Sequence, residues 1–156
     1  MKTKNLTMAS LIATLYVVLT LLSRVFGLDS GAIQMRFSEA LCILPVFTAS
    51  AVPGLFIGCL LSNILLGNLF WDVVFGSIAT LLGAIGTRML RKKPCLAVLP
   101  PIISNTLIIP FVLAYVYNLK EGIPYFMLTV GIGEILSCGV LGMILYSALK
   151  RVKIFK

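Results

Sequence analysis

The chain has 156 residues, of which 60% are hydrophobic and 12% charged, and its formal net charge is +8. A soluble domain has about 45–50% apolar and about 25% charged residues, so this chain has too few charges to cover a surface in water. The composition therefore excludes an ordinary soluble domain. Its basic residues cluster at the ends of apolar runs, which is typical of membrane topology and not of nucleic-acid binding.

The apolar runs predict helices in chain order, since a bilayer core needs about 20 helical residues. Residues 6–26 form the first run, which we interpret as a membrane helix because it is long for a signal peptide and no clear cleavage site follows. A polar loop, 27–37, comes next. The later runs are 38–52 and 54–67, separated by the turn signal Pro53-Gly54, and then 72–90, 96–117 and 123–149.

The basic residues predict the orientation. If the N-terminus lies inside and residues 38–67 cross twice, all but three of the thirteen basic residues (Arg24, Arg36 and Lys120) lie on the inner side. A single long helix over 38–67 would put the 91–93 cluster outside, whereas two short spans and a re-entrant hairpin both satisfy the rule. We predict an all-α integral membrane protein: one domain, 1–156, a bundle of six transmembrane helices in the plasma membrane with N- and C-termini cytoplasmic.

Glu134 is the first candidate for a functional residue. It lies eleven residues into the last predicted helix, which is about 16 Å deep at 1.5 Å per residue. A carboxylate at the centre of a membrane helix costs about 2.5–3.5 kcal/mol. We therefore expect it to face a polar pocket that opens outward. The alternative is a protonated or amide-paired carboxyl group that only stabilises helix packing.

Other candidates for a substrate-binding site share a polar or aromatic side chain in the outer part of the predicted bundle: Gln34, Arg36, Glu39, Asn63, Trp71, Asp72 and Asn105. Their carboxylates and amides suit the N–H edge of a flat heterocycle, on which Trp71 would stack. Each also has a structural interpretation. The amides can join helices, Asp72 can cap a helix, and Arg36 can be a solvated charge or pair with Glu39 or Asp72.

Cysteine usage argues against a metal site. The four cysteines form no CxxC pair and the chain has no histidine, so we interpret them as packing residues and predict no metal or cofactor. No metal-ligand cluster or nucleophile–base pair of recognisable spacing indicates an enzyme. The chain also has no GxxxxGK[ST] sequence, so any ATP hydrolysis must come from a partner.

Several sequence blocks resemble the QueT family: 33–41 (IQMRFSEAL), Leu44-Pro45, 53–59 (PGLFIGC) and 72–77 (DVVFGS). The resemblance extends over about residues 9–147. It implies the substrate-binding S component of an energy-coupling factor (ECF) transporter, a six-helix protein that works with a T component and two cytoplasmic ATPases. The implied cargo is a queuosine precursor, that is, a 7-deazaguanine base or a related compound.

The resemblance also implies roles for individual residues. The family's site, at the first outer loop and the outer halves of the last three helices, agrees with Arg36, Asp72, Asn105 and Glu134. The pattern Ala9-x-x-x-Ala13 is similar to the alanine motif that S components use for docking, and an exposed stripe of small residues would suit a partner. The alternative function is a stand-alone proton-coupled carrier for a small polar nutrient; the lack of an inverted repeat argues against it.

Overall fold

The computed structural model describes residues 3–28, 35–118 and 122–152, and these are helical with no strand among them. The elements are α1 Thr3–Val25, a 3₁₀ helix Phe37–Val46, α2 Ala51–Leu65, α3 Phe70–Met89, the single turn α4 Pro94–Ala97, α5 Leu99–Tyr115, α6 Ile123–Glu134, a π helix Ile135–Leu141, and α7 Gly142–Leu149.

Four helices of the described chain are long and apolar enough to cross a membrane: Thr3–Val25, Phe70–Met89, Pro94–Tyr115 and Ile123–Leu149. Each coincides with a predicted run, because a membrane helix needs only a sufficient length of apolar residues. Their large apolar side chains are exposed along their outer faces, as contact with lipid requires. The prediction of an all-α membrane protein is confirmed.

The predicted break at Pro53-Gly54 is wrong. The two short segments, Phe37–Val46 and Ala51–Leu65, are separated at residues 47–50, and Pro53 lies in the first turn of α2. Proline is tolerated there because the first N–H groups of a helix have no partner within it. Gly54 does not break the helix either; it lets α2 approach α1.

The first two α-helices run parallel and touch through backbone. A Cβ atom on Gly54 would lie 2.7 Å from the Ala9 carbonyl oxygen, and one on Gly58 would lie 2.7 Å from the Cβ of Tyr16. Residue numbers therefore rise together along both helices. Only glycine at these two positions allows such close packing.

Two parallel neighbours need a connection that returns to the starting end, and the 3₁₀ helix provides it. The Phe37 N–H donates to Ser23 Oγ near the end of α1 (2.8 Å), whereas the Pro45 carbonyl accepts from Arg88 near the end of α3 (3.0 Å). With a rise of about 2 Å per residue, ten residues of 3₁₀ helix extend about 20 Å. The two short segments thus run along the bundle in opposite directions.

Ala9 and Ala13, to which the resemblance assigns a docking role, do not form the exposed stripe that would suit a partner. Their side chains are buried, with exposed fractions of 5% and 7%. The covering surface is α2, through Gly54 and Gly58. These small residues allow α1 and α2 to pack closely within the chain, and such packing is a common role of small-residue patterns.

Candidate functional site

Glu39 lies in the first half of the 3₁₀ helix and is buried there by α1 and the π helix. The Tyr16 hydroxyl of α1 donates to Glu39 Oε1. The Cys42 thiol, one turn further along, donates to Glu39 Oε2 at 3.0 Å. Both carboxylate oxygens are therefore held by neutral donors from the protein, as a buried acid requires.

Glu134 ends α6, and the π helix begins at the next residue. A π helix inside an α-helix is uncommon and is frequent at functional sites. Within it, the Cys138 sulfur lies 3.2 Å from Glu134 Oε2, 3.3 Å from the Glu39 backbone oxygen and 4.0 Å from Glu39 Oε2. One thiol thus joins the two acids across the contact between the 3₁₀ helix and the π helix.

These groups open into an inner cavity of about 30 Å³. Its described lining residues come from five helices: Arg36, Glu39, Cys59, Asp72, Gly76, Thr80, Asn105, Ile109, Val130 and Glu134. The volume is enough for one or two water molecules. Glu134 therefore faces a polar cavity and not lipid, as predicted, but the space beside it is small in this state.

An outer cavity of about 490 Å³ adjoins the inner one. Its described lining residues are Arg24, Arg36, Leu66, Gly67, Asn68, Leu69, Asp72, Ile109, Leu113 and Tyr117. Small-molecule sites usually have about 300–1,000 Å³, so this space is large enough for a fused-ring ligand. Arg36, Asp72 and Ile109 line both cavities, and they form the wall between the two.

Polar contacts hold the two charged residues of this wall. Arg36 Nη1 lies 3.5 Å from Asn63 Oδ1, an oxygen that also accepts from the Asn68 amide at 3.1 Å. The Tyr117 hydroxyl donates to Asp72 Oδ2 at 3.0 Å. Burial, together with the nearby Asp72 carboxylate, raises the pKa of Tyr117 above its ordinary value. Tyr117 therefore keeps its proton and remains a donor.

Of the predicted site residues, five line the inner cavity: Arg36, Glu39, Asp72, Asn105 and Glu134. Asn63 is buried behind Arg36 and lines neither cavity. Gln34 lies outside the described residues.

The structure differs from the sequence interpretation at three residues. Trp71 is 54% exposed on the outside of the bundle, where its ring stacks on Phe75, so it lines neither cavity. Asp72 is not a helix cap: it lies within α3 and accepts from Tyr117. Arg36, for which a solvated charge and a pair with Glu39 or Asp72 were the alternatives, is hydrogen-bonded to Asn63.

The sequence interpretation missed the residues that hold the acids. The cysteines Cys42 and Cys138 were interpreted as packing residues, and Tyr16 was not a candidate. In the structure Tyr16 and Cys42 donate to Glu39, and the Cys138 sulfur lies within 4.0 Å of it. Their spacing in sequence carries no signal, because they come from three separate elements. Tyr117 follows the end of α5 and was also missed.

Three potential metal ligands are close together: the ligand atoms of Glu39, Cys42 and Cys138 all lie within 4.8 Å of one another. Thiols bind a metal as thiolates, yet here both thiols are placed as donors to a carboxylate. Binding a cation through them would require two deprotonations inside the membrane. We interpret the cluster as a hydrogen-bond network that holds the acids.

The described part of the chain also contains three buried side-chain hydroxyls with no hydrogen-bond partner, those of Ser38, Thr106 and Ser137. Ser38 and Ser137 precede Glu39 and Cys138 in sequence. Buried polar groups usually find a partner, which is often water or a ligand. This region therefore has unused hydrogen-bonding capacity next to the acids.

Comparison with known proteins gives two matches. The sequence model of a family described as "QueT transporter" matches residues 6–151. A curated relative, the queuosine precursor transporter QueT of Lactococcus lactis subsp. cremoris (strain MG1363), is 35% identical over 81 residues. The alignment covers 51% of this chain and 47% of the relative, so it spans about half of that protein's length. No solved structure gives a significant match.

Proposed function

Because the chain belongs to the QueT transporter family, we propose that it is the substrate-binding S component of an ECF importer that takes up a queuosine precursor. The proposed cargo is a 7-deazaguanine base or a related compound. The name of the Lactococcus lactis relative supports this class of cargo. The energy for uptake would come from a T component and two cytoplasmic ATPases, since the sequence has no Walker A motif.

One observation carries the proposal: five predicted polar residues, distant in sequence, meet at one buried cavity. Their carboxylates and amide accept and donate in the pattern that a heterocycle edge needs. The outer cavity has room for the ring system, and the inner cavity holds the polar groups that would recognise it. The ligand would reach Glu134 when Arg36 and Asp72 separate.

We propose six membrane crossings with both termini cytoplasmic. The contacts between neighbouring helices show that the four long helices and the two short segments alternate in direction along the bundle, which supports an even number of crossings. The short segments would cross where the bilayer is locally thin, at about 20 Å. The basic residues at the ends of α3 and α7 would then lie in the cytoplasm, as the positive-inside rule favours.

We propose that α1 contacts the T component, through a face of the helix different from the one that contains the buried alanines. Thr7, Ser10 and Thr14 are exposed on α1, and each hydroxyl bonds a carbonyl of its own helix. The side chains on this face are small and their hydroxyl groups already have hydrogen-bond acceptors, so a partner helix can approach it closely.

Binding without partners is the first test. The chain would be purified alone in detergent and titrated with 7-aminomethyl-7-deazaguanine by isothermal calorimetry, with adenine as a control ligand. We expect saturable binding of the deazaguanine and none of adenine. No saturable binding of the deazaguanine or its relatives would overturn the queuosine assignment.

Uptake distinguishes the importer from the stand-alone proton-coupled carrier. In vesicles, an S component moves its cargo only when the T component, the ATPases and ATP are present. Uptake by this chain alone, driven by a proton gradient, would contradict the S-component role and favour the carrier.

A further inference from the structure

Two thiol groups face each other where the 3₁₀ helix packs on the π helix. Glu39 and Cys42 are three residues apart, and side chains at this spacing lie on one face of a 3₁₀ helix. The facing segment carries Glu134 and Cys138, whose side chains are in contact. The sulfur atoms of Cys42 and Cys138 lie within 4.8 Å of each other. Each segment therefore brings one carboxyl group and one thiol to the same contact.

Each thiol has a proton acceptor of its own. Cys42 donates to Glu39 Oε2 at 3.0 Å, and the Cys138 sulfur lies 3.2 Å from Glu134 Oε2. A thiol reacts with an oxidant as its thiolate, and a base within hydrogen-bond reach is a usual means of forming one. Proton transfer to the adjacent carboxylate adds no net charge to the membrane interior. The geometry is therefore that of a reactive pair of thiols.

The inner cavity brings small solutes close to this pair. Glu39 and Glu134 line it, and its volume of about 30 Å³ is enough for one or two water molecules. Hydrogen peroxide is little larger than water. Cys59 lines the same cavity, but its sulfur accepts hydrogen bonds from Thr80 at 3.3 Å and from Asn63 at 3.5 Å. Cys59 thus has similar access without an adjacent carboxyl group to accept its proton.

We propose that Cys42 and Cys138 are a redox-sensitive pair that hydrogen peroxide converts to a disulfide. Cys138 passes its proton to Glu134, and the thiolate attacks one peroxide oxygen. The O–O bond breaks, and the second oxygen takes the proton from Glu134 and leaves as water. The Cys42 sulfur then attacks the resulting sulfenic acid, whose hydroxyl group leaves as water with the Cys42 proton, passed through Glu39. The two sulfurs lose two electrons, and the peroxide gains them.

The disulfide joins the 3₁₀ helix covalently to the π helix. It also takes the thiol donors away from Glu39 Oε2 and Glu134 Oε2, and both of these acids line the inner cavity. Because thiol exchange reduces a disulfide again, the change in the cavity lining is reversible. This inference does not depend on which compound the cavity binds.

The products of oxidation provide the test. The full chain with Cys95→Ser, which removes an exposed thiol that could link two molecules, would be treated with hydrogen peroxide in detergent, denatured and alkylated. We expect mass spectrometry to find Cys42 linked to Cys138 in a form that dithiothreitol separates, with Cys59 still alkylated as a free thiol. Free Cys42 and Cys138, or oxidation of Cys59 as fast as that of Cys138, would overturn the proposal.

The rate of disulfide formation shows whether Glu134 accepts the proton. Glu134→Gln should slow it at least about tenfold, because an amide cannot take up the thiol proton. Asp72→Asn is the matched control, since it neutralises an acid of the same cavity that is hydrogen-bonded to Tyr117 and not to a thiol. Its rate should equal that of the Cys95→Ser chain. Equal rates for the two carboxyl variants would contradict the proposed step at Glu134.

Discussion

Tyr16 and Glu39 form the contact on which the inner cavity depends at the scale of single residues. Tyr16 has no exposed surface, and its hydroxyl donates to an acid that is itself 4% exposed. An unpaired buried carboxylate oxygen is costly, so this tyrosine contributes to stability through its hydroxyl group as well as its ring. The contact also links α1 to the 3₁₀ helix.

We expect Tyr16→Phe to lower the free energy of unfolding by about 1–3 kcal/mol, because it removes the donor and leaves Glu39 Oε1 buried without its partner. The measurement is thermal unfolding in detergent. Tyr125→Phe is the control, since Tyr125 is 46% exposed and should tolerate the same change. Equal unfolding temperatures for the two variants would contradict a stabilising role for the Tyr16 hydroxyl.

The sequence predicts a functional residue correctly where its depth in a membrane helix is enough to identify it. A carboxylate eleven residues into a membrane helix is unusual in any fold, and Glu134 does line the cavity. Trp71 was misplaced because the direction of a side chain at a helix start does not follow from its position in sequence. The thiol donors Cys42 and Cys138 were missed because they gain a role only through residues of other elements.

At the scale of elements, the close contact between α1 and α2 positions Tyr16. Gly58 packs against the Tyr16 Cβ and the Ala13 backbone, so the helix axes are held near each other. Neither the parallel direction of the two helices nor the 3₁₀ return between them follows from hydropathy, which reports only length and burial. The hydropathy pattern does not predict the π helix either.

We predict that Gly58→Ala lowers the free energy of unfolding by about 1–3 kcal/mol, the usual cost of overpacking. A new Cβ would lie 2.7 Å from the Tyr16 Cβ and 3.0 Å from the Ala13 carbonyl oxygen, so the helices must separate. Alanine otherwise favours a helix over glycine, so a loss of stability reports the clash.

Gly139→Ala is the matched control, because a Cβ there meets its nearest atoms at 3.8 and 4.0 Å, which is ordinary contact. Chemical unfolding in detergent compares the two variants. If Gly58→Ala were as stable as Gly139→Ala, the close packing of α1 on α2 would be wrong.

At the scale of the whole molecule, the bundle encloses two adjoining spaces of unequal size and charge. The outer one has the volume of a ligand site, and the inner one has the acids but room for little more than water. Because Arg36 and Asp72 line both, their movement would join the two spaces into one site. The apolar surface of the long helices faces lipid, so the polar residues are concentrated at this interior position.

The central claim is that Glu134, which lines the inner cavity, binds the proposed cargo. Its most direct test is the affinity of Glu134→Gln for 7-aminomethyl-7-deazaguanine, measured by calorimetry beside the unaltered chain and beside Cys95→Ser, a change at an exposed cysteine outside the lining of both cavities. We predict that Glu134→Gln binds more than about tenfold more weakly, with an unchanged unfolding temperature, because the amide has one acceptor oxygen where the carboxyl group has two. An affinity equal to that of the unaltered chain would contradict the claim.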